Sequence, residues 1–499
     1  MSTSIRSQDI AKLSMTPAAV DCSYATLSPE GLAQAQSQWI NGQPSQSFTY
    51  QPLPTSLSPI GACKSIVVEL RAHRSNFMSL PVLPTEVWEC VIDHLAYAML
   101  SQALKNCTLV CKAWFPRSRY HYFRRVFLRE QKRVVRLAEL VKTSPIHGKA
   151  LLQVLFKGGQ HPGGQHKPIP EFGTFAAMLA RRLPNLRQIG ITYADWQPAT
   201  FHPQIFVHLS AFTSVTQLTL YSSVFSSVDV FGRLVCSLPN LSAIATFDLT
   251  FLKRPFNSRT FYAPRTNIVH VSFNGSGVPD VVDFFVQSRI ASQLREMLLG
   301  YPRPVLSART DGLQDLLSAA GAALRVLDIT VVGSALKSAN SDDSGIHVEE
   351  GIVRSDALTQ PPADLTHNTS LLALHLKMRL IEDVDYTWII PMLTQIHSAD
   401  FRNIVFLIDA RYGTALSRLS ENILTPDICS SVDALLATKQ FSKLQEVHFK
   451  LWLLPAADAE KLVASEWHQT LCSKMPKLTS RGILLSNVDV TYRALPSQP

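Results

Sequence analysis

Cys107 and Cys111 stand four residues apart, a spacing that sets two thiols on one helix face, where thiolates could begin a zinc site. A tetrahedral site needs a second pair, and no Cys or His pair follows at ligand spacing. Both are therefore expected to be buried as small hydrophobes. His161 and His166 lie in Gly158-Gly159-Gln160-His161-Pro162-Gly163-Gly164-Gln165-His166, which reads as a solvated hinge, and no metal is assigned to them. The chain has no glycine-rich phosphate cradle of P-loop or dinucleotide type and no Gly-x-Ser-x-Gly elbow. No catalytic residue and no cofactor is expected.

Charge is the other feature that could do chemistry. The net charge is +9, and the stretch from Lys112 to Lys142 holds ten basic residues against Glu130 and Glu139, which leaves about +1 for everything else. On a helix, Arg125, Arg129, Lys132, Arg133 and Arg136 would share one face, with Phe127, Val134, Leu137 and Val141 largely on another. This reads as a solvated outer face on a docked helix. The rival is a binding stripe for nucleic acid or an acidic protein. A nucleic-acid site would ordinarily add aromatic stacking or a recognised module, so nucleic acid is not the expected partner.

The elements that must position such residues follow from composition and period. With 499 residues, 46% hydrophobic and 17% charged, the chain can bury a large core. No apolar run approaches the roughly 20 residues of a membrane-spanning helix, and the N-terminus lacks the apolar core of a secretory signal. Eight cysteines scattered over this length suit a reducing compartment, so a soluble cytoplasmic or nuclear protein is expected. Residues 1–79, rich in Ser, Gln, Pro and Thr, read as a disordered arm, and the apolar patch Ile66 to Leu70 within it is given no function.

Residues 80–128 change to a dense periodic block. After Pro84, the residues Val87, Trp88, Val91, Ile92 and Leu95 make one apolar helix face. A second helix is expected over about 101–111, with Leu104, Cys107, Val110 and Cys111 inward, and a third around Trp114, Tyr120, Tyr122 and Phe123. Trp88, Val91 and Leu104 are expected in the core. Three such helices bury little, so the rest of the chain or a partner should support them. Residues 129–169 read as a basic linker helix and a Gly/His loop.

From 170 onward an apolar pattern ϕ-x-x-ϕ-x-ϕ recurs from Leu186, Val215, Ile268, Leu294, Leu324, Leu371 and Leu444, with weaker copies at Leu241, Ile396 and Leu478. Starts at 186, 215, 241, 268, 294 and 324 are 26 to 30 residues apart, close to the roughly 20 to 29 of leucine-rich repeats. Helix-like stretches such as Val230 to Leu238 lie between them. The x positions should face outward, making Gln188, Gly190, Gln217, Thr219, His270, Ser272, Arg325, Asp328, His375, Glu446 and His448 candidate partner-facing residues, of which Gln217, Thr219, His270, Asp328, His375 and His448 are carried forward. A solvated face is the bland alternative for each. The asparagine expected soon after each Leu-x-Leu is mostly missing. Residues 334–364, rich in Ser, Asp and Gly, read as a flexible insertion.

Within the periodic block, Leu83-Pro84-x-Glu86, then Ile92 and Leu95, then Leu109-Val110-Cys111-Lys112-x-Trp114 resemble an F-box, over about a tenth of the chain. Arg117 to Phe123 resembles the continuation found in large fungal F-box families. The resemblance implies that Leu83, Pro84, Ile92, Leu95, Val110, Cys111 and Trp114 contribute to a surface facing a Skp-type adaptor, or to the domain core, with cullin reached through that adaptor. The expected fold is α/β: a small N-terminal three-helix F-box, then a right-handed helix-strand solenoid resembling leucine-rich repeats, with a parallel concave sheet over 170–499. The implied function is non-catalytic: a substrate receptor of an SCF-type ubiquitin ligase whose solenoid holds a protein target. In that family the chemistry belongs to the RING-bound conjugating enzyme. The alternative is a non-ligase scaffold or a basic-patch binding protein.

Overall fold

The structure is a computed structural model. It describes residues 84–98, 100–159, 166–197, 204–253, 256, 266–300, 311–331, 363–379, 386–410, 425–453 and 460–490. The arm read over 1–79, including its apolar patch, and all but the last two residues of the 334–364 insertion lie outside the described residues.

Three helices come first, α1 (Thr85–Tyr97), α2 (Ser101–Val110) and α3 (Phe115–Phe123). Next are β1 (Arg125–Leu128), α4 (Gln131–Thr143), α5 (Pro145–Ala150) and β2 (Gln153–Lys157). Then follow β3 (Lys167–Pro168), α6 (Pro170–Leu179), β4 (Gln188–Thr192), β5 (Ala194–Trp196), α7 (Ile205–Leu209), β6 (Gln217–Tyr221), β7 (Val224–Phe225), α8 (Val228–Cys236), β8 (Ala243–Phe247) and β9 (Thr250–Phe251). The remainder is β10 (His270–Asn274), α9 (Val278–Gln287), β11 (Glu296–Gly300), α10 (Asp311–Ala320), β12 (Val326–Val331), β13 (Ala373–Arg379), α11 (Ile389–Thr394), β14 (Asn403–Asp409), α12 (Pro426–Leu436), β15 (Glu446–Leu453), α13 (Glu460–Lys474), α14 (Pro476–Ser480) and β16 (Leu484–Val490).

The fold is α/β. Twelve strands, β1, β2, β4, β6, β8 and β10 through β16, lie side by side in chain order and all parallel, while β3, β5, β7 and β9 form a second parallel sheet. Parallel neighbours need a crossover, and helical segments provide it at nine of the eleven steps, the exceptions among the described residues being β8 to β10 and β12 to β13. Local chemistry marks where these helices start. Proline, whose missing N–H costs nothing there, begins α5, α6, α12 and α14. The Ser227 and Thr425 hydroxyls cap α8 and α12 by accepting from the N–H of Val230 and Ile428.

The periodic leucines do what their spacing predicts. Leu186, Val215, Leu241, Ile268, Leu294, Leu324 and Leu371 are fully buried, as are the alternate strand residues that follow them, such as Leu218, Leu220, Leu327 and Leu374. An aromatic series runs through the first units between the two sheets: Phe156 to Phe172 at 5.0 Å, Phe172 to Trp196 at 5.3 Å, Trp196 to Phe225 at 5.6 Å and Phe225 to Phe251 at 5.9 Å between ring centroids. The missing asparagine ladder has a local substitute. In Pro184-Asn185-Leu186 and Pro239-Asn240-Leu241 the side-chain amide donates to the carbonyl of the preceding unit, Asn185 to Lys149 and Asn240 to Thr213, each at 2.7 Å.

Two expectations are corrected. The parallel sheet starts at Arg125 rather than near 170, so the segment read as a basic linker is its first unit. Arg125 consequently lies on β1 and Arg129 precedes α4, so the five cations do not share a helix face. A two-residue alternation, with Val126 and Leu128 toward the core, is hidden there in a basic stretch whose charges also fit a helical period. Of the five, only Lys132, Arg133 and Arg136 lie on the exposed side of α4, while Val134, Leu137 and Val141 are buried as expected.

At the end of four successive strands the chain turns through a left-handed residue: Tyr193 (φ 52°), Ser222 (φ 42°), Asp248 (φ 50°) and Gly275 (φ 100°). Only the last is glycine. A Cβ there would sit 2.3 Å from Asp248 Oδ1 and 2.5 Å from its backbone N. Gly275→Ala is therefore expected to lower stability by about 1–3 kcal/mol, read as a fall in the urea midpoint.

Candidate functional site

Two surfaces collect the residues singled out by the sequence. The first is the face of α1, α2 and α3. Their core is small, with Ile92, Leu104 and Cys107 buried, and these three are not part of the continuous core that runs from Leu128 to Leu484. Trp88 meets Trp114 at 4.6 Å between centroids. A charged clamp ties α3 to α1: Arg117 donates to both carboxylate oxygens of Asp93 and, at 2.7 Å, to Glu89, and His121 Nε2 lies 2.8 Å from Asp93. At the far end, Phe123 packs edge-on against His147 of α5 at 5.1 Å.

What this small core leaves uncovered is apolar. Val87 (41% exposed), Val91 (40%), Leu109 (80%) and Val110 (60%) face solvent, with Leu100, Cys90 and Cys111 also exposed. Two expectations fail here: Val91 is not core, and Val110 and Cys111 do not point inward. The three helices cover Ile92, Leu104 and Cys107 and leave the adjacent apolar column uncovered. Of the residues named for the adaptor-facing surface, Pro84 is exposed, Leu95 and Trp114 are half-buried, and Ile92 is fully buried, which leaves it only the core role. Leu83 lies outside the described residues.

The clamp carries a pH signature. The Arg117 guanidinium holds the Asp93 carboxyl below its ordinary range. Burial lowers His121 below its usual value near 6.5 and outweighs the pull of Asp93, so the neutral ring donates to the carboxylate. Both groups bind protons less readily folded than unfolded, so the stability they confer is present at neutral pH and lost on acidification. Thermal unfolding of α1 to α3 is expected to move to lower temperature first as pH falls below about 6.5, through His121, and again in the carboxylate range, through Asp93. In His121→Gln the first step should vanish.

The second surface is the outer face of the twelve-stranded sheet, whose residues alternate with the buried ones. Gln217, Thr219, His270, His375 and His448 lie on it, half-exposed. His270 Nδ1 lies 2.8 Å from Glu296, which draws that carboxyl below its usual range, and Gln188 Nε2 donates to Thr219 at 3.2 Å. Asp328 is only 9% exposed, with the His375 ring 3.6 Å away, so it is not the accessible contact expected. Gly190 is buried too, because the Leu155 side chain lies across it.

Neither surface shows a reactive constellation. Cys236 and Cys429 are shielded, and burial pushes their thiols up to about 12 and about 11. His161 lies outside the described residues, and His166 Nε2 sits 3.4 Å from the Ser222 hydroxyl. Among the described residues no three metal-capable side chains gather, and no helix is long and apolar enough to cross a membrane. No protein-family model matches the chain. No curated protein matches it either.

Proposed function

We propose that the chain is a non-catalytic substrate receptor of an SCF-type ubiquitin ligase, in which α1 to α3 act as an F-box that docks on a Skp-type adaptor and the sheet presents a protein target. The observation that carries this reading is the uncovered apolar face of α1 and α2. Burying Val, Leu and aromatic side chains contributes about 25 cal/mol per Å², and an isolated chain forgoes that gain at Val87, Val91, Leu109 and Val110. Leu109 and Val110 are among the residues that carry the F-box resemblance, and Val87 and Val91 adjoin others that do. The strand-and-helix units read, in the same proposal, as a leucine-rich-repeat-like solenoid, an architecture suited to holding a target at a fixed distance from the adaptor. The cell compartment that fits is the cytoplasm or nucleus.

Co-expression of the full chain with a Skp-type adaptor and cullin tests it. A complex that co-elutes on size exclusion is the expected result, and separate elution of the chain would overturn the proposal in favour of a ligase-independent scaffold.

A further inference from the structure

We infer that the outer sheet face from β1 to β10 docks an extended peptide segment rich in aspartate and glutamate, with Arg125, Arg129 and Lys157 as its cationic contacts. This rests on the reading that the sheet presents a target, and adds the chemistry of what is held.

The face is polarised along the chain. Its outward positions on the first six strands, from Arg125 to Asn274, include two cations and no acid. The first outward carboxylate is Glu296 on β11, already engaged by His270. Further along, charges satisfy one another: Asp328 faces His375, the Lys377 ammonium lies 4.7 Å over the Trp452 ring, and Trp452 Nε1 donates to Asp489. Arg125 and Lys157 have no such relief. No ion pair joins either to an acid among the described residues, although both are half-buried, and Lys157 rests on the Tyr193 ring at 5.8 Å. Burial, and after it the neighbouring charges of Arg124 and Arg129 respectively, works against the ionised forms of Arg125 and Lys157. Half-buried cations beside other cations, without a counter-charge, cost free energy that an anionic partner would return.

The rest of the face fits a peptide. Gln153, Gln188 and Gln217 are register neighbours on successive strands beside Arg125, a row of amides able to serve peptide carbonyls and carboxylates alike. Ala243 and Ala245 keep the floor shallow enough for a backbone to approach. Strands spaced about 4.8 Å apart make six strands roughly 24 Å across, which about seven extended residues would span. Single-stranded RNA fits less well. The aromatic rings here are turned on one another, Tyr193 on Tyr221 at 5.4 Å and 71° and Tyr221 on Phe247 at 5.9 Å, rather than offering open faces to bases.

The test uses the full chain, a fluorescein-labelled peptide of alternating Glu and Ala, an equal-length Gln and Ala control, and a single-stranded RNA oligonucleotide, read by fluorescence anisotropy, with adaptor capture measured on the same preparations. Saturable binding of the Glu peptide alone, weakening as salt is raised, is expected. Arg125→Gln with Lys157→Gln should reduce the affinity by about tenfold or more, and Lys157→Gln alone, a half-exposed change that leaves the strand intact, should reduce it in the same direction. Arg136→Gln, on the exposed side of α4, should leave it unchanged. Equal binding of the Gln control, undiminished binding by Lys157→Gln, or RNA displacing the peptide would overturn the inference. A chain that captures the adaptor yet ignores the Glu peptide overturns this inference alone, whereas one that binds the peptide but not the adaptor overturns the ligase reading alone.

Discussion

Phe231→Ala is expected to cost about 3–5 kcal/mol, a large share of the roughly 5–15 kcal/mol by which a domain is stable. Phe231 is fully buried on α8, and its ring is shared by three elements: Phe225 of β7 at 5.7 Å, Phe251 of β9 at 5.8 Å and Phe284 of α9 at 5.5 Å. Truncation removes an edge-to-face partner from each and leaves a cavity that rigid strands on either side cannot close. Because each unit is supported mainly by its neighbours, amide exchange should accelerate first in β6, β8 and β10, while α1 to α3, whose core is separate, keep their protection. A matched loss of protection around Ile92 would show instead that helices and sheet unfold as one cooperative body.

The reverse outcome, function lost without stability, is expected of Leu109→Lys with Val110→Lys. Both side chains are mostly exposed, so the substitutions should each change stability by no more than about 0.5 kcal/mol. Lysine suits this place because α2 ends at Val110, and a cation complements the negative end of the helix dipole, so fraying is not introduced. If this apolar face is the adaptor contact, capture should fall by roughly thirtyfold or more, as about 2 kcal/mol is lost at a hot spot. Pull-down of the adaptor with unchanged melting temperature checks both halves. Equal capture by the double variant would remove α2 from the interface.

These outcomes also separate what the amino-acid order specifies from what packing adds. The inward leucines were legible because a stacked unit must bury the same positions each time, and a 26 to 30 residue recurrence with internal ϕ-x-x-ϕ-x-ϕ order is hard to satisfy in any other way. The three helices were legible as well, from the spacing of Val87, Ile92, Leu95, Leu104 and Cys107. Which of their two apolar columns would be covered was not, since Val91 and Ile92 are equally apolar and differ only in where the neighbouring helices fall.

The sequence by itself determined the α/β class, the repeat and the absence of glycine-rich and nucleophile-elbow motifs, because those depend on period and residue type along a short stretch. Only the tertiary structure decided that Arg125 belongs to a strand, that Asp328 is covered beside His375, and that the outward positions of the first six strands carry Arg125 and Lys157 but no acid. The physical reason is distance along the chain. Arg125, Gln153, Gln188 and Gln217 are separated by tens of residues and become neighbours only through strand register, and the energetics of Arg125 and Lys157 depend on burial and counter-charges that no local window contains.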